Sequence, residues 1–276
     1  MPRRSNKQIA FITACASSVF MAGMVYAADP APAPDRDKED IQATIIRYQA
    51  AIGVNASNPE THQKLADAYM MSGNYEGAIK EYQKSMELDP GDGKAAYNMG
   101  RAQMRLKNIP AALAAFKTAC VRDPNNADYH IRYGQVLCRA KKDDEAIEQF
   151  RQAIKSDSKS AAAHRELGAA LGLKGDAAGQ IAEELKAIEI NPKDADAHYY
   201  LGYAYLNQEK LPEAQKELEL AVEIDPRYAL AYHMLAVVNA AQSNIDKAID
   251  SEQRAVALEP ENVEYKNSLK KYQAKR

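Results

Sequence analysis

The sequence is poor in the residues and patterns that most chemistry needs. It holds three cysteines, and one of them, Cys15, lies in an N-terminal apolar run. Cys120 and Cys138 fall near the ends of successive helical segments, which antiparallel packing sets beyond the reach of a disulfide, so both are read as small core residues. There is no long run of like charge, and the formal net charge of −2 argues against a general nucleic-acid or membrane-surface role. No phosphate-cradling glycine loop, paired-carboxylate arrangement or nucleophile motif occurs. His164-Arg165-Glu166 lacks the second histidine that a zinc-protease helix needs. Neither enzymatic activity nor a cofactor is expected. Tryptophan is absent, which leaves tyrosine and arginine as the residue types suited to binding anchors.

What is present is repetition. In Ala195–Tyr228, His198, Leu201, Gly202 and Tyr205 mark one helical segment; Ala214, Leu218 and Ala221 mark a second, closed by Asp225-Pro226. The same marks return 34 residues away in either direction. Proline recurs at Pro90, Pro124, Pro192, Pro226 and Pro260, with Ser158 in the gap. Small-residue columns run Ser85, Ala119, Ala153, Ala187, Ala221, Ala255 and Ala78, Ala112, Ala146, Gln180, Ala214, Ala248. A third runs Ala66, Gly100, Gly134, Gly168, Gly202, Ala236, each preceded by a larger residue, for instance Leu65, Met99 and Tyr133. A glycine inside a helix costs about 1 kcal/mol against alanine, so a glycine column implies close helix packing. Gly73-Asn74, Lys107-Asn108, Gly175-Asp176 and Ser243-Asn244 supply turns between the paired segments, and proline cannot continue a helix.

These columns resemble the tetratricopeptide repeat (TPR), a helix–turn–helix with an aromatic, Leu-Gly, Tyr, Ala, Phe, Ala and Pro at fixed offsets. Six units are read: 59–92, 93–126, 127–160, 161–194, 195–228 and 229–262. The resemblance implies an all-α, right-handed superhelical solenoid. Residues 35–58 are expected to form a lone helix or degenerate half-repeat, and Val263–Arg276 a capping helix. Gln180 and Glu184 replace the usual alanine and aromatic, so the second helix of the fourth unit is expected to be shifted or looser. Glu252, Gln103 and Asn239 mark weaker interfaces for the same reason. His62, His130, His164 and His198 share one repeat position, which separates them by two helix-packing steps of roughly 8–10 Å each. Zinc ligands all lie about 2 Å from one ion, so these histidines are read as packing residues and no metal is expected.

Arg3, Arg4 and Lys7 precede the apolar run Ile9–Ala27, and Val25-Tyr26-Ala27 offers a cleavage site before Ala28. This is the form of a secretory signal peptide over residues 1–27, with an uncleaved membrane anchor as the alternative. Export, to the periplasm in a bacterium, is the expected localisation. Residues 28–34 (ADPAPAP) read as a stiff tether.

By the same resemblance, one stripe of each first helix lines a concave groove. The candidates for binding a peptide there are Lys94, Tyr97, Asn98, Arg101, Arg132, Arg165, Tyr199 and Tyr203. Two readings stand side by side: an acidic or C-terminal peptide segment lying along Arg101, Arg132 and Arg165, or a solvated groove crossed by salt bridges. The chaperone-type carboxylate clamp is not predicted, because only Asn98 and Arg132 fit among Gln63, Asp67, Asn98, Asp128 and Arg132. The expected function is a protein–protein interaction scaffold serving envelope-complex, pilus or secretion assembly. The alternative is self-association, with the N-terminal helix of one copy in the groove of the next.

Overall fold

The structure, a computed structural model, describes residues 36–276. The predicted signal peptide and tether lie outside the described residues. Fourteen helices and no strand are found there: α1 Arg36–Val54, α2 Pro59–Ser72, α3 Tyr75–Leu88, α4 Gly93–Arg105, α5 Ile109–Arg122, α6 Ala127–Arg139 and α7 Asp143–Ser156. Then follow α8 Ala161–Leu173, α9 Ala177–Ile190, α10 Ala195–Asn207, α11 Leu211–Ile224, α12 Ala229–Ala241, α13 Ile245–Leu258 and α14 Val263–Gln273. They form two compact bodies, α1–α7 and α8–α14. Within each body, helices adjacent in sequence pack on one another.

Local sequence sets the helix ends. Asn58, Asp92, Asn126, Ser160, Asp194 and Asn262 cap first helices by accepting a backbone N–H with the side chain. Pro59, Pro110 and Pro212 sit in the first turn, where a missing N–H leaves no partner unmet. The turn inside each unit passes through one left-handed residue: Gly73, Lys107, Lys141, Gly175, Glu209 or Ser243. Only two of the six are glycine, the residue that adopts this backbone without strain.

The small columns are where helices meet. Ala78, Ala112, Ala146, Ala214 and Ala248 are buried, as are Ser85 and the alanines of its column. The glycine column matches bulk on the facing helix. A Cβ on Gly134 would lie 2.5 Å from Phe150 Cε1, and one on Gly202 would lie 2.8 Å from Leu218 Cγ. Close packing of this kind leaves no room for even one added methyl group.

The histidine column has a partner column that the sequence reading missed. Nδ1 of His62, His164 and His198 lies 2.6–2.7 Å from Glu81, Glu183 and Glu217, each on the second helix of the same unit. His130 Nδ1 meets Gln149 Oε1 at 2.8 Å. In the second unit the pair is Ala96 and Ala115, both buried. In the sixth it is displaced by one residue: His233 Nδ1 lies 2.8 Å from Glu252 Oε1, and the Tyr265 ring of α14 sits 4.8 Å from the imidazole. Glu252 thus takes part in a buried hydrogen bond where an apolar residue is usual. Asn239 is buried with its Oδ1 unpartnered.

The expected shift of the fourth unit's second helix is not found. α9 has the same length as its counterparts and makes its turn at the same repeat place. The facing helix compensates. Gly168 and Gly172 stand opposite Glu184 and Gln180, with carboxyl and amide oxygens 2.7 and 2.4 Å from where their Cβ atoms would be. Gln180 Nε2 donates to the Tyr200 carbonyl at 3.2 Å. Both oxygens of Glu184 are buried without a partner, and burial holds its carboxyl well above the ordinary carboxylate range.

Candidate binding face

In the first body, Tyr97 of α4 and Tyr129 of α6 stack at 4.8 Å, and Tyr97 meets Phe116 edge-on at 5.6 Å. A polar string links α2, α3 and α4. Tyr82 Oη and Asn98 Nδ2 both donate to Asp67 Oδ1, the second at 3.5 Å, and Arg101 Nη1 donates to Asn98 Oδ1 at 3.4 Å. Asn98 is buried, whereas Arg101 is half-buried and Lys94 exposed. On α6, Arg132 Nη1 donates to Gln135 Oε1 at 3.2 Å. Five of the eight candidates, Lys94, Tyr97, Asn98, Arg101 and Arg132, therefore lie in this body on two first helices. Asp67 joins them as an internal acceptor that fixes Asn98. Its carboxylate is engaged by Tyr82 and Asn98.

In the second body the surroundings differ. Arg165 Nη1 donates to Asp194 Oδ2 at 2.7 Å and lies 3.6 Å from Asp196 Oδ2, while its Nη2 lies 3.7 Å from Glu166 Oε1. Burial works against the charged guanidinium, but the three carboxylates outweigh it and hold the pKa of Arg165 above its usual value. One cation facing three anions is not a seat for a fourth anion. Tyr199 is 0% and Tyr203 6% exposed. Both are enclosed in a cluster with Ala169, Leu230, Met234 and Val238, because α8 and α12 pack directly against α10 here. The rings expected on the groove surface are part of the core. Their i, i+4 spacing suits either role, so periodicity alone could not separate them.

Models of the tetratricopeptide repeat match residues 59–92, 97–161, 144–195 and 184–216. The chain belongs to the tetratricopeptide repeat family. No curated protein matches the sequence. Among solved structures, the TPR chain is similar to one in the APC/C hetero-tetramer Cut9–Hcn1, with 17% identity, a TM-score of 0.67 and 86% of this chain covered. It spans only 46% of that larger chain. It is also similar to PilW, a widely conserved type IV pilus biogenesis factor, with 20% identity, a TM-score of 0.67, and 76% and 98% of the two chains covered. YrrB, a TPR protein with an unusual peptide-binding site, gives 22% identity, a TM-score of 0.53, and coverages of 68% and 97%. At these identities the likeness is one of fold. TPR arrays are protein-interaction scaffolds, and their fold is typically non-enzymatic.

Proposed function

We propose that this TPR protein is an exported scaffold that captures a segment of a partner protein on the first-helix face of its first body. The observation that carries this reading is that Lys94, Tyr97, Asn98 and Arg101 share α4, with Arg101 donating to Asn98 and Tyr97 stacked on Tyr129 of α6, the helix that also carries Arg132. Aromatic and arginine side chains of this kind are the usual binding anchors. The segment is acidic or ends in a carboxylate, and it lies on α4 and α6. The triad Arg101, Arg132 and Arg165 is narrowed to its first two members, since Arg165 is neutralised by Asp194, Asp196 and Glu166.

The leader-like residues 1–27 support export, and the likeness to PilW supports a place in envelope or pilus assembly. Among the described residues no helix is long and apolar enough to cross a membrane. The test is crosslinked capture from envelope extracts with the wild type and with Arg132→Glu. A partner that is lost with Arg132→Glu and retained with Arg165→Ala supports the first-body face. A partner retained by Arg132→Glu moves the interaction elsewhere.

A further inference from the structure

α1 is half of a repeat. Its residues continue columns that the complete units build on their second helices. Ile45 extends Ile79, Leu113, Ile147 and Ile181, and Ile52 extends Met86, Cys120, Ile154 and Ile188. Ile41 and Ile45 are buried against Leu65 and Ala68 of α2, with Tyr48, Ile52 and Tyr69 packed alongside. This is how a second helix meets the first helix of the next unit. In a complete unit the opposite side of the second helix is covered by its own first helix. In the first unit the covered residues are Ala78, Tyr82 and Ser85, all buried. Their counterparts on α1, one repeat earlier, are Thr44, Tyr48 and Ala51. They have the same character, one aromatic between small residues, yet Ala51 is exposed and the others only half-buried. Val54, on the same side, is 90% exposed.

The place that carries glutamate or glutamine in four units (Glu81, Gln149, Glu183, Glu217) is Arg47 on α1. Arg47 is exposed and folded over the neighbouring Tyr48 ring, with its Cζ 5.0 Å from the centroid. In the complete units that place meets a histidine from the fourth position of the first helix. An arginine there calls for an acid instead.

We infer that the open side of α1 is a docking seat for an amphipathic helix from another protein, one that completes the half-repeat. That helix carries glycine or alanine against Tyr48 and, four residues earlier, an aspartate or glutamate against Arg47. Among the described residues no helix precedes α1, and by the 34-residue register the span matching a first helix is 25–38, whose sequence carries Pro30, Pro32 and Pro34 in place of helix-forming residues. α14 of a second copy is excluded by charge and bulk. It keeps the first-helix register, with Tyr265 and Tyr272 buried, but the exposed Lys266 stands where the acid is needed and the exposed Lys270 stands in the glycine column. Lys266 would meet Arg47, and Lys270 would meet the Tyr48 ring. The seat lies on α1 and is separate from the face on α4 and α6.

The full chain would be titrated with a fluorescent peptide of residues 160–174 carrying His164→Glu, which keeps Gly168 in the small column. The expected result is saturable binding that weakens about tenfold with Arg47→Glu. The same Arg47→Glu chain should then bind a His164→Lys peptide in preference to the His164→Glu one. Ala51→Trp should abolish binding, whereas Arg132→Glu, which alters the other face, should leave it unchanged. The inference is overturned by an absence of binding, by affinity indifferent to the charge at residue 47, or by a second copy displacing the peptide as sedimentation mass rises with concentration.

Discussion

His198 Nδ1 lies 2.7 Å from Glu217 Oε2, and its Nε2 lies 3.3 Å from the Pro192 carbonyl oxygen, so both ring nitrogens face acceptors. That arrangement suits a doubly protonated ring. The hydrogen bond to Glu217 raises the histidine pKa above 6.5 despite burial. Burial pushes the Glu217 carboxyl up, but the bond from His198 outweighs it and the net shift is below 4.5. The histidine contribution is complete below 6.5 and lost as pH rises through its folded value. The glutamate contribution is complete above 4.5 and lost as pH falls through its folded value. The pair therefore stabilises most between those two ordinary values. A double-mutant cycle with His198→Ala and Glu217→Ala, followed by urea unfolding, is expected to give a coupling of about 1–2 kcal/mol near pH 5.5. The coupling should shrink at pH 8.5; an equal value at both would remove the ionic part of the account.

Glu184→Leu should stabilise the second body. The wild-type carboxyl is buried with neither oxygen bonded, and Leu218 shows that leucine fits this column against a facing glycine. The expected gain is about 2 kcal/mol near neutral pH. Because the folded pKa of Glu184 is raised, the wild type is at its relative best below 4.5 and loses stability as pH rises, so the gain should be smaller at pH 5. Thermal melts at the two pH values check both sign and trend.

The left-handed turn residue gives opposite predictions at two sites. Gly73 has φ 80° and Glu209 has φ 59°. Gly73→Ala should cost about 1 kcal/mol, and Glu209→Gly should gain about 0.5–1 kcal/mol, since only glycine escapes the Cβ penalty there. Denaturant midpoints decide it.

Cys120 and Cys138 should resist thiol reagents in the native protein. Both are buried and unbridged, and burial pushes the Cys120 thiol up to about 12, so almost no thiolate exists at neutral pH. Ellman titration of a Cys15→Ser chain should find neither thiol before urea is added and both afterwards. Rapid labelling of Cys120 without denaturant would contradict this packing.

The repeat frame was legible because it rests on residues whose size is forced: the alanine columns, Gly134 against Phe150, and the proline ends. What was not legible rests on pairs. Glu81, Glu183 and Glu217 read as ordinary surface acids until their histidines on the other helix are seen to face them. Gln180 and Glu184 looked disruptive because the second glycine opposite them, Gly172, falls outside the repeat columns. Tyr199 and Tyr203 were assigned to a surface by their helical phase, yet direct packing of first helices in the second body moves that phase into the core. Five of the eight candidate binding residues lie on α4 and α6, where Lys94 is exposed, Tyr97, Arg101 and Arg132 are half-buried and Asn98 is buried.

The helix phase at the two ends has a further consequence. α1 stands in second-helix register and α14 in first-helix register, so every loop marked by the proline column joins a second helix to a first. Cutting at any such loop and splicing in one 34-residue block would return both ends unchanged. The reach of the array could thus lengthen or shorten by gene duplication in whole units, without re-evolving either terminus.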